Sequence, residues 1–183
     1  MIKACSHEIK NDIRNLSYEE LIAYLGALGE PSFRATQIFS WLYQKGVVSF
    51  KEMVNLPSVV INKLDADFAI VQPVVVNTYS SVDGTMKVAF QLHDQQVIET
   101  VLIPTQTRAT VCVSTQAGCK FGCRFCASGI GGWKRNLTPA EILDQIVYVK
   151  NYARDKDQPL THIVFMGVGE PMTSVWRDRS WSI

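Results

Sequence analysis

Long hydrophobic runs are absent from these 183 residues. No apolar stretch approaches the roughly 20 residues that span a bilayer. The opening Met1-Ile2-Lys3-Ala4-Cys5-Ser6-His7-Glu8 lacks the apolar segment of a secretion signal. No membrane partner is expected, and the expected compartment is the cytoplasm. An excess of one charge sign is also missing: 18 Lys and Arg face 17 Asp and Glu, and the net charge of +1 announces no polyanionic partner by itself. The 11 glycines and 7 prolines form no repeat or low-complexity tract, and 47% hydrophobic with 19% charged residues is the balance of a chain with a core. Cysteine is sparse at five residues. An odd number without an export signal argues against a disulfide framework and for thiol or metal chemistry.

What is present falls into parts, read as 1–70, 71–104 and 105–183. The first reads as a small helical accessory domain. Ser17-Tyr18-Glu19-Glu20 is a capping box, Leu21, Ile22, Leu25 and Leu28 share a helical face, and Gly29 with Pro31 stops that helix. Ser32 is the expected cap of a second helix, which carries Ile38, Trp41 and Leu42 inward and ends at Gly46. Ser49-Phe50-Lys51-Glu52 reads as another capped start, and Pro57 opens a helix through Val60, Ile61 and Leu64. No chemistry-bearing motif occurs here.

From about Ile70 the apolar period changes to two. Val74–Tyr79, Thr85–Leu92, Gln96–Ile103 and Thr110–Thr115 read as strands, with an Asp83-Gly84 hairpin turn after the first and a poorer turn, His93-Asp94-Gln95-Gln96, after the second. Thr138-Pro139-Ala140-Glu141 is a capping box whose helix turns Ile142, Leu143, Ile146 and Val149 to one side. Thr161–Met166 follows as a short apolar strand, expected to be covered on both faces. Strand, glycine-rich loop, helix, strand is the opening of a parallel α/β architecture.

Four of the five cysteines lie between residues 112 and 126, and Cys119, Cys123 and Cys126 form a C-x3-C-x2-C. Three thiolates this close suit one inorganic centre, with Gly118 and Gly122 letting the backbone fold around it. A closed zinc site takes four ligands, and a fourth is missing locally: Cys112 sits on the preceding strand, and His93 and His162 are remote. A four-iron cluster held by three cysteines keeps one iron open for a ligand. Inert core cysteines, a zinc knuckle and an electron-transfer cluster are the competing readings. Phe125 is expected to shield such a centre.

The cysteine motif with its aromatic resembles the radical S-adenosylmethionine (radical SAM) superfamily. Glu30-Pro31-Ser32-Phe33-Arg34-Ala35, Asp83-Gly84-Thr85, Ile98-Glu99-Thr100-Val101-Leu102-Ile103-Pro104 and Gly167-Val168-Gly169-Glu170-Pro171 resemble, in order, the RlmN/Cfr-type adenine RNA methyltransferases, from about Asn15 to Met172. The resemblance implies an α/β fold: the helical N-terminal domain and β segment lead into the first part of a radical SAM partial (β/α) barrel over 105–183. It implies Cys119, Cys123 and Cys126 as ligands of a 4Fe–4S cluster, SAM on the open iron, and Gly169 and Glu170 at the SAM amino end. SAM is then split to a deoxyadenosyl radical. It also implies Glu99 as proton acceptor. On its strand Glu99 shares a face with Val97, Val101 and Ile103, so its carboxylate is expected to be partly desolvated and its pKa raised, against an alternative of a strand-end ion pair. Cys112 matches a second thiol that forms a transient disulfide with a C-terminal, methyl-carrying cysteine, and this sequence has no cysteine after Cys126.

The implied activity is methylation of an adenine in 23S rRNA, with tRNA as a candidate second substrate, at carbon 2 or, in the related activity that shares these motifs, carbon 8, by a monomer served by a flavodoxin-type reductant. Arg108, Lys120, Arg124, Lys134 and Arg135, with no acidic residue between 100 and 140, make a candidate phosphate-binding face or an ordinary solvated surface. Trp133 is a candidate for stacking on a base or for core packing. A non-catalytic iron–sulfur or zinc module, for example an electron carrier, is the alternative function. From Thr173 onward the sequence departs from the family pattern, so a truncation near Thr173 is expected, leaving a chain that binds the cluster without methyl transfer.

Overall fold

The computed structural model describes residues 10–174. Cys5, the N-terminal residues read for an export signal, and the expected departure from the family after Ser174 lie outside them. The chain divides into two compact units, Met1–Val71 and Gln72–Ile183.

In the first unit the Ser17 box opens α1 (Tyr18–Ala27): the Ser17 hydroxyl accepts the Glu20 N–H at 3.1 Å and the Glu20 carboxylate accepts the Ser17 N–H at 2.7 Å. Leu21 and Leu25 of α1 are buried, and Ile22 and Leu28 half-buried. α2 (Phe33–Phe39) starts differently from expectation. Ser32 already has helical dihedrals, so its side chain caps nothing. The helix runs into a π-helical segment, Ser40–Lys45, and stops at Gly46, whose φ of 66° is left-handed and cheap only for glycine. Ile38 and Leu42 point inward, but Trp41 stays half-buried, its indole N–H donating to Asn55 and Lys45 Nζ lying 3.2 Å from the ring centroid. The Ser49 box makes only a 3₁₀ turn, Phe50–Glu52. Pro57 occupies the cap of α3 (Ser58–Asp67), from which Val60 and Leu64 are buried with Phe50 and Met53.

One buried ion pair ties the unit's ends together. Arg14 Nη2 and Asp12 Oδ2 are 2.6 Å apart with side chains 5% and 6% exposed. The Asp12 carboxylate also accepts the Val71 N–H at 2.9 Å, and the Arg14 guanidinium donates to the Val71 carbonyl.

The second unit is a five-stranded sheet in the order β1–β2–β3–β4–β7, where β1 is Val74–Ser80, β2 Met86–Gln91, β3 Val97–Pro104, β4 Ala109–Cys112 and β7 His162–Val164. The first four run antiparallel, and β7 joins β4 in parallel through α4 (Pro139–Arg154). Gly84 turns the first hairpin at φ 84°. The second turn needs a left-handed non-glycine, Gln95 at φ 67°, which is why its sequence reads poorly. A two-stranded ribbon, β5 (Gln116–Ala117) with β6 (Arg135–Asn136), brackets the cysteine loop.

Alternation decides which face is covered. Met86, Val88, Phe90, Ile98, Thr100, Leu102, Ala109, Val111 and Val113 are buried on one face, beneath Ile142, Val149 and Ala153 of α4. α4 starts at a complete Thr138/Glu141 capping box. Its buried stripe includes Gln145, whereas Leu143 and Ile146 are only half-buried. The opposite sheet face carries Lys87, Val97, Glu99, Val101, Ile103 and Cys112, all half-buried or exposed among the described residues. The expectation of a doubly covered strand at 161–166 fails. β7 is the sheet's edge among the described residues, with no strand beyond it there, and Ile163, Phe165 and Met166 are 46%, 36% and 74% exposed.

Breaking the buried pair tests the first unit. Asp12→Ala leaves Arg14 without its carboxylate, which costs about 3–5 kcal/mol. Urea denaturation followed at the Leu25 and Leu64 amides is expected to show that loss, with β-sheet amides of the second unit unmoved.

Candidate metal and cofactor site

Residues Val113–Gly118 run from the end of β4 into the cysteine loop, with backbone close on both sides. The Val113 N–H donates to the Val164 carbonyl at 2.9 Å, and the Gly167 N–H returns to the Val113 carbonyl at 3.0 Å. Thr115 and Gln116 both donate to the Val168 carbonyl. Glycine is required on each flank. A Cβ on Gly167 would lie 2.7 Å from backbone atoms of Val113 and Ser114, and one on Gly169 (φ 111°) 2.7 Å from the Gln116 side chain. One on Gly118 (φ 71°) would lie 1.9 Å from the Gly132 carbonyl oxygen, which is how the two ends of the cysteine loop meet.

Gln116 joins these segments with its side chain. Its amide oxygen accepts the Glu170 N–H at 3.1 Å and its amide nitrogen donates to Asn136 at 2.9 Å. The Glu170 carboxylate caps the following 3₁₀ turn, Pro171–Thr173, by accepting the Met172 N–H at 3.0 Å. The Thr115 hydroxyl is buried here without a hydrogen-bond partner among the described residues.

Cys119 is half-buried, Cys123 and Cys126 are exposed, and all three are free thiols on one loop. A donor hydrogen bond from the Ser128 side chain, aided by its backbone, holds the Cys126 thiol below its usual pKa. Three unbridged thiols at this spacing are the donor chemistry of an iron–sulfur cluster with one open position. In kind and number they fit, although among the described residues no three Cys, His, Asp or Glu side chains stand close enough to hold one metal ion. Phe125 is 93% exposed and shields nothing in this arrangement.

Glu99 and Cys112 share the open sheet face. Cys112 pairs with Val101, two residues along β3 from Glu99, so the two are diagonal neighbours. The burial expected of Glu99 is not found: its side chain is 46% exposed, and Lys87 Nζ lies 2.9 Å from its carboxylate. That bond raises the pKa of Lys87. The ion pair that the strand position allowed is therefore present, formed across β2 and β3 because Ala89 pairs with Glu99 and Lys87 sits two residues away. Burial pushes the Cys112 thiol up in pKa, against a backbone hydrogen bond from Met166.

The basic face is smaller than its five residues suggested. Arg108 precedes β4, whereas Lys120, Arg124 and Lys134 lie beyond its other end. Arg135 is consumed by Glu141, at 2.7 Å to both carboxylate oxygens, and by Asp94 at 2.7 Å. Trp133 is 41% exposed with Lys120 Nζ 4.2 Å from its ring centroid, so it is no core residue.

The comparisons with known proteins meet this geometry. Residues 11–70 match the ribosomal RNA large subunit methyltransferase N-terminal domain. The chain is 44% identical over 173 residues to a protein of Cytophaga hutchinsonii and 46% identical over 159 residues to one of Bacillus licheniformis, each named "Probable dual-specificity RNA methyltransferase RlmN". These alignments cover 93% and 87% of this chain but 47% and 44% of the relatives. The crystal structure of a radical SAM methyltransferase from Sphaerobacter thermophilus superposes with a TM-score of 0.80 at 40% identity, over 89% of this chain and 48% of that one. Over nearly its whole length, the chain is similar in sequence to RlmN proteins. It spans about half the length of the curated RlmN relatives it matches.

Sequence reading missed Ser114, Gln116, Gln145 and Lys87. Gln145 alone carried a signal, as a polar residue in phase with the buried stripe Ile142–Val149.

Two measurements check this description. Under anaerobic conditions without added iron, iodoacetamide near neutral pH is expected to label Cys126 well before Cys112, and Ser128→Ala to slow labelling at Cys126. The Arg135 guanidinium holds the Asp94 carboxyl below the usual carboxylate range. This stabilisation is therefore present above the unfolded value of about 4 and lost as pH falls through the folded one. Arg135→Met is expected to flatten the acid limb of the stability curve.

Proposed function

We propose that this chain carries the cluster- and SAM-binding segments of a radical SAM methyltransferase that modifies carbon 2 of adenine in 23S rRNA and tRNA. The observation that carries the reading is the Cys119–Cys126 loop closed at its base beside the Gly167–Glu170 loop, in a chain about 45% identical to RlmN proteins. In this reading Cys119, Cys123 and Cys126 hold a 4Fe–4S cluster, which when bound supplies the electron that cleaves SAM. Gly169 and Glu170 hold the SAM amino end: Gly169 lets backbone approach where no side chain fits, and Glu170 offers carboxylate charge.

Glu99 takes a proton on its carboxylate, which Lys87 orients from 2.9 Å. Cys112, whose thiol pKa burial pushes up, is the thiol on the same sheet face. Exposed Lys120 and Lys134 beside Trp133, with exposed Arg124 on the same cysteine loop, suit RNA phosphates and a stacked base. A flavodoxin-type electron donor, a monomeric state and a cytoplasmic location complete the reading. Cluster and SAM binding is the activity proposed for these residues.

Anaerobic reconstitution with iron and sulfide is the test. It is expected to give about four irons per chain and a spectral shift on adding SAM, with Cys119→Ser, Cys123→Ser and Cys126→Ser each losing iron. Iron without a SAM response would favour a non-catalytic electron carrier, and zinc alone would overturn the reading.

A further inference from the structure

At the point where β3 and β4 stop pairing, a side chain takes over from the backbone. The ladder ends at Val101 and Cys112, and the next outward pair would be Glu99 with Ser114. The Ser114 hydroxyl instead donates to the Glu99 carbonyl at 2.6 Å and accepts the Val168 N–H at 2.9 Å. One oxygen thus bonds the residue bearing the Glu99 carboxylate and the loop bearing Gly169 and Glu170.

Gln145 fixes that oxygen from behind. Its amide oxygen accepts the Ser114 N–H at 2.8 Å and the Thr100 hydroxyl at 2.6 Å, and its amide nitrogen donates to the carbonyls of Ser114 at 3.0 Å and Glu141 at 3.1 Å. All four hydrogen-bonding positions of the carboxamide are filled. Thr100, Ser114 and Gln145 are 0%, 0% and 1% exposed, so water offers no substitute for these bonds.

We propose that Ser114 and Gln145 form a buried latch that sets the Gly167–Glu170 loop at a fixed position relative to Glu99, making both of them positioning residues for SAM. The role toward SAM rests on the function proposed above; the latch itself does not. A core built only for stability would fill this space with apolar side chains. The hydroxyl and carboxamide instead join four segments distant in sequence: β3, the stretch after Cys112, α4 and the loop after β7.

The experiment compares the full chain with Ser114→Ala, with Thr100→Val, and with Val88→Ala, which removes core volume opposite Thr100 but no latch hydrogen bond. Amide hydrogen exchange is read first. Ser114→Ala is expected to raise exchange at Val168 about tenfold, the loss of one net hydrogen bond. Thr100→Val, nearly the same shape, is expected to raise exchange at Ser114 several-fold by unpinning Gln145. It keeps the latch testable should Ser114→Ala not fold. Val88→Ala is expected to lower the melting temperature while leaving Val168 as protected as its neighbours in the sheet.

On the reconstituted chain, Ser114→Ala is expected to weaken SAM binding about tenfold, and Val88→Ala to leave it unchanged. Unaltered exchange at Val168 and Ser114 in the latch variants overturns the proposal. Equal loss of SAM affinity in Val88→Ala, or none in a Ser114→Ala chain that does expose Val168, overturns the positioning role. A wild-type chain that binds no SAM sinks the functional reading, while the exchange measurements still decide the latch.

Discussion

Backbone packed directly against backbone is the constraint on which the second unit depends. From Val113 to Gly118 the chain has main-chain neighbours on both sides, and at Gly167 and Gly118 even one added carbon would collide with them. This closeness lets carbonyls and N–H groups of three segments satisfy one another where no regular ladder continues. It also brings the mouth of the cysteine loop and the Gly167–Glu170 loop to the same short stretch. Side chains at these positions would push the two loops apart, however favourable their own contacts.

The sheet distributes stability and chemistry between its faces. α4 buries the face of Phe90, Leu102 and Val111, and full burial of such side chains is worth about 1.5–3 kcal/mol each. The other face carries Glu99, Lys87 and Cys112 without a covering layer among the described residues. Its charged pair is accordingly half-exposed, and Lys87 orients Glu99 without paying the desolvation that a buried pair incurs. A helix covering one face only leaves the second available to a ligand, and Glu99, Lys87 and Cys112 are on that second face.

Legibility followed the range of the interaction. Contacts within four residues were readable: the Ser17 and Thr138 boxes, the Gly46 stop and the Asp83-Gly84 turn all form. Ser32 misled because a serine before an apolar run caps only when its own backbone is extended. The alternation along β3 put Glu99 on the right face, but whether that face was buried depended on α4 lying across the other one. Asp12 with Val71, and Ser114 with Glu99 and Val168, join residues 15 to 59 positions apart. No local pattern encodes such pairs. The cysteine spacing was legible because three ligands within eight residues need no tertiary contact to be noticed.

The crossover from β4 to β7 has a kinetic side. The hairpins β1–β2 and β2–β3 close over short turns, and α4 nucleates on its own box, so these elements assemble from nearby residues. Pairing Thr110 with His162 instead closes a loop of about fifty residues, whose entropy must be met before any bond repays it. The Gly167–Glu170 loop follows β7 and docks only once that closure is made. The surface best suited to a cofactor therefore depends on the longest-range closure among the described ladders of this sheet.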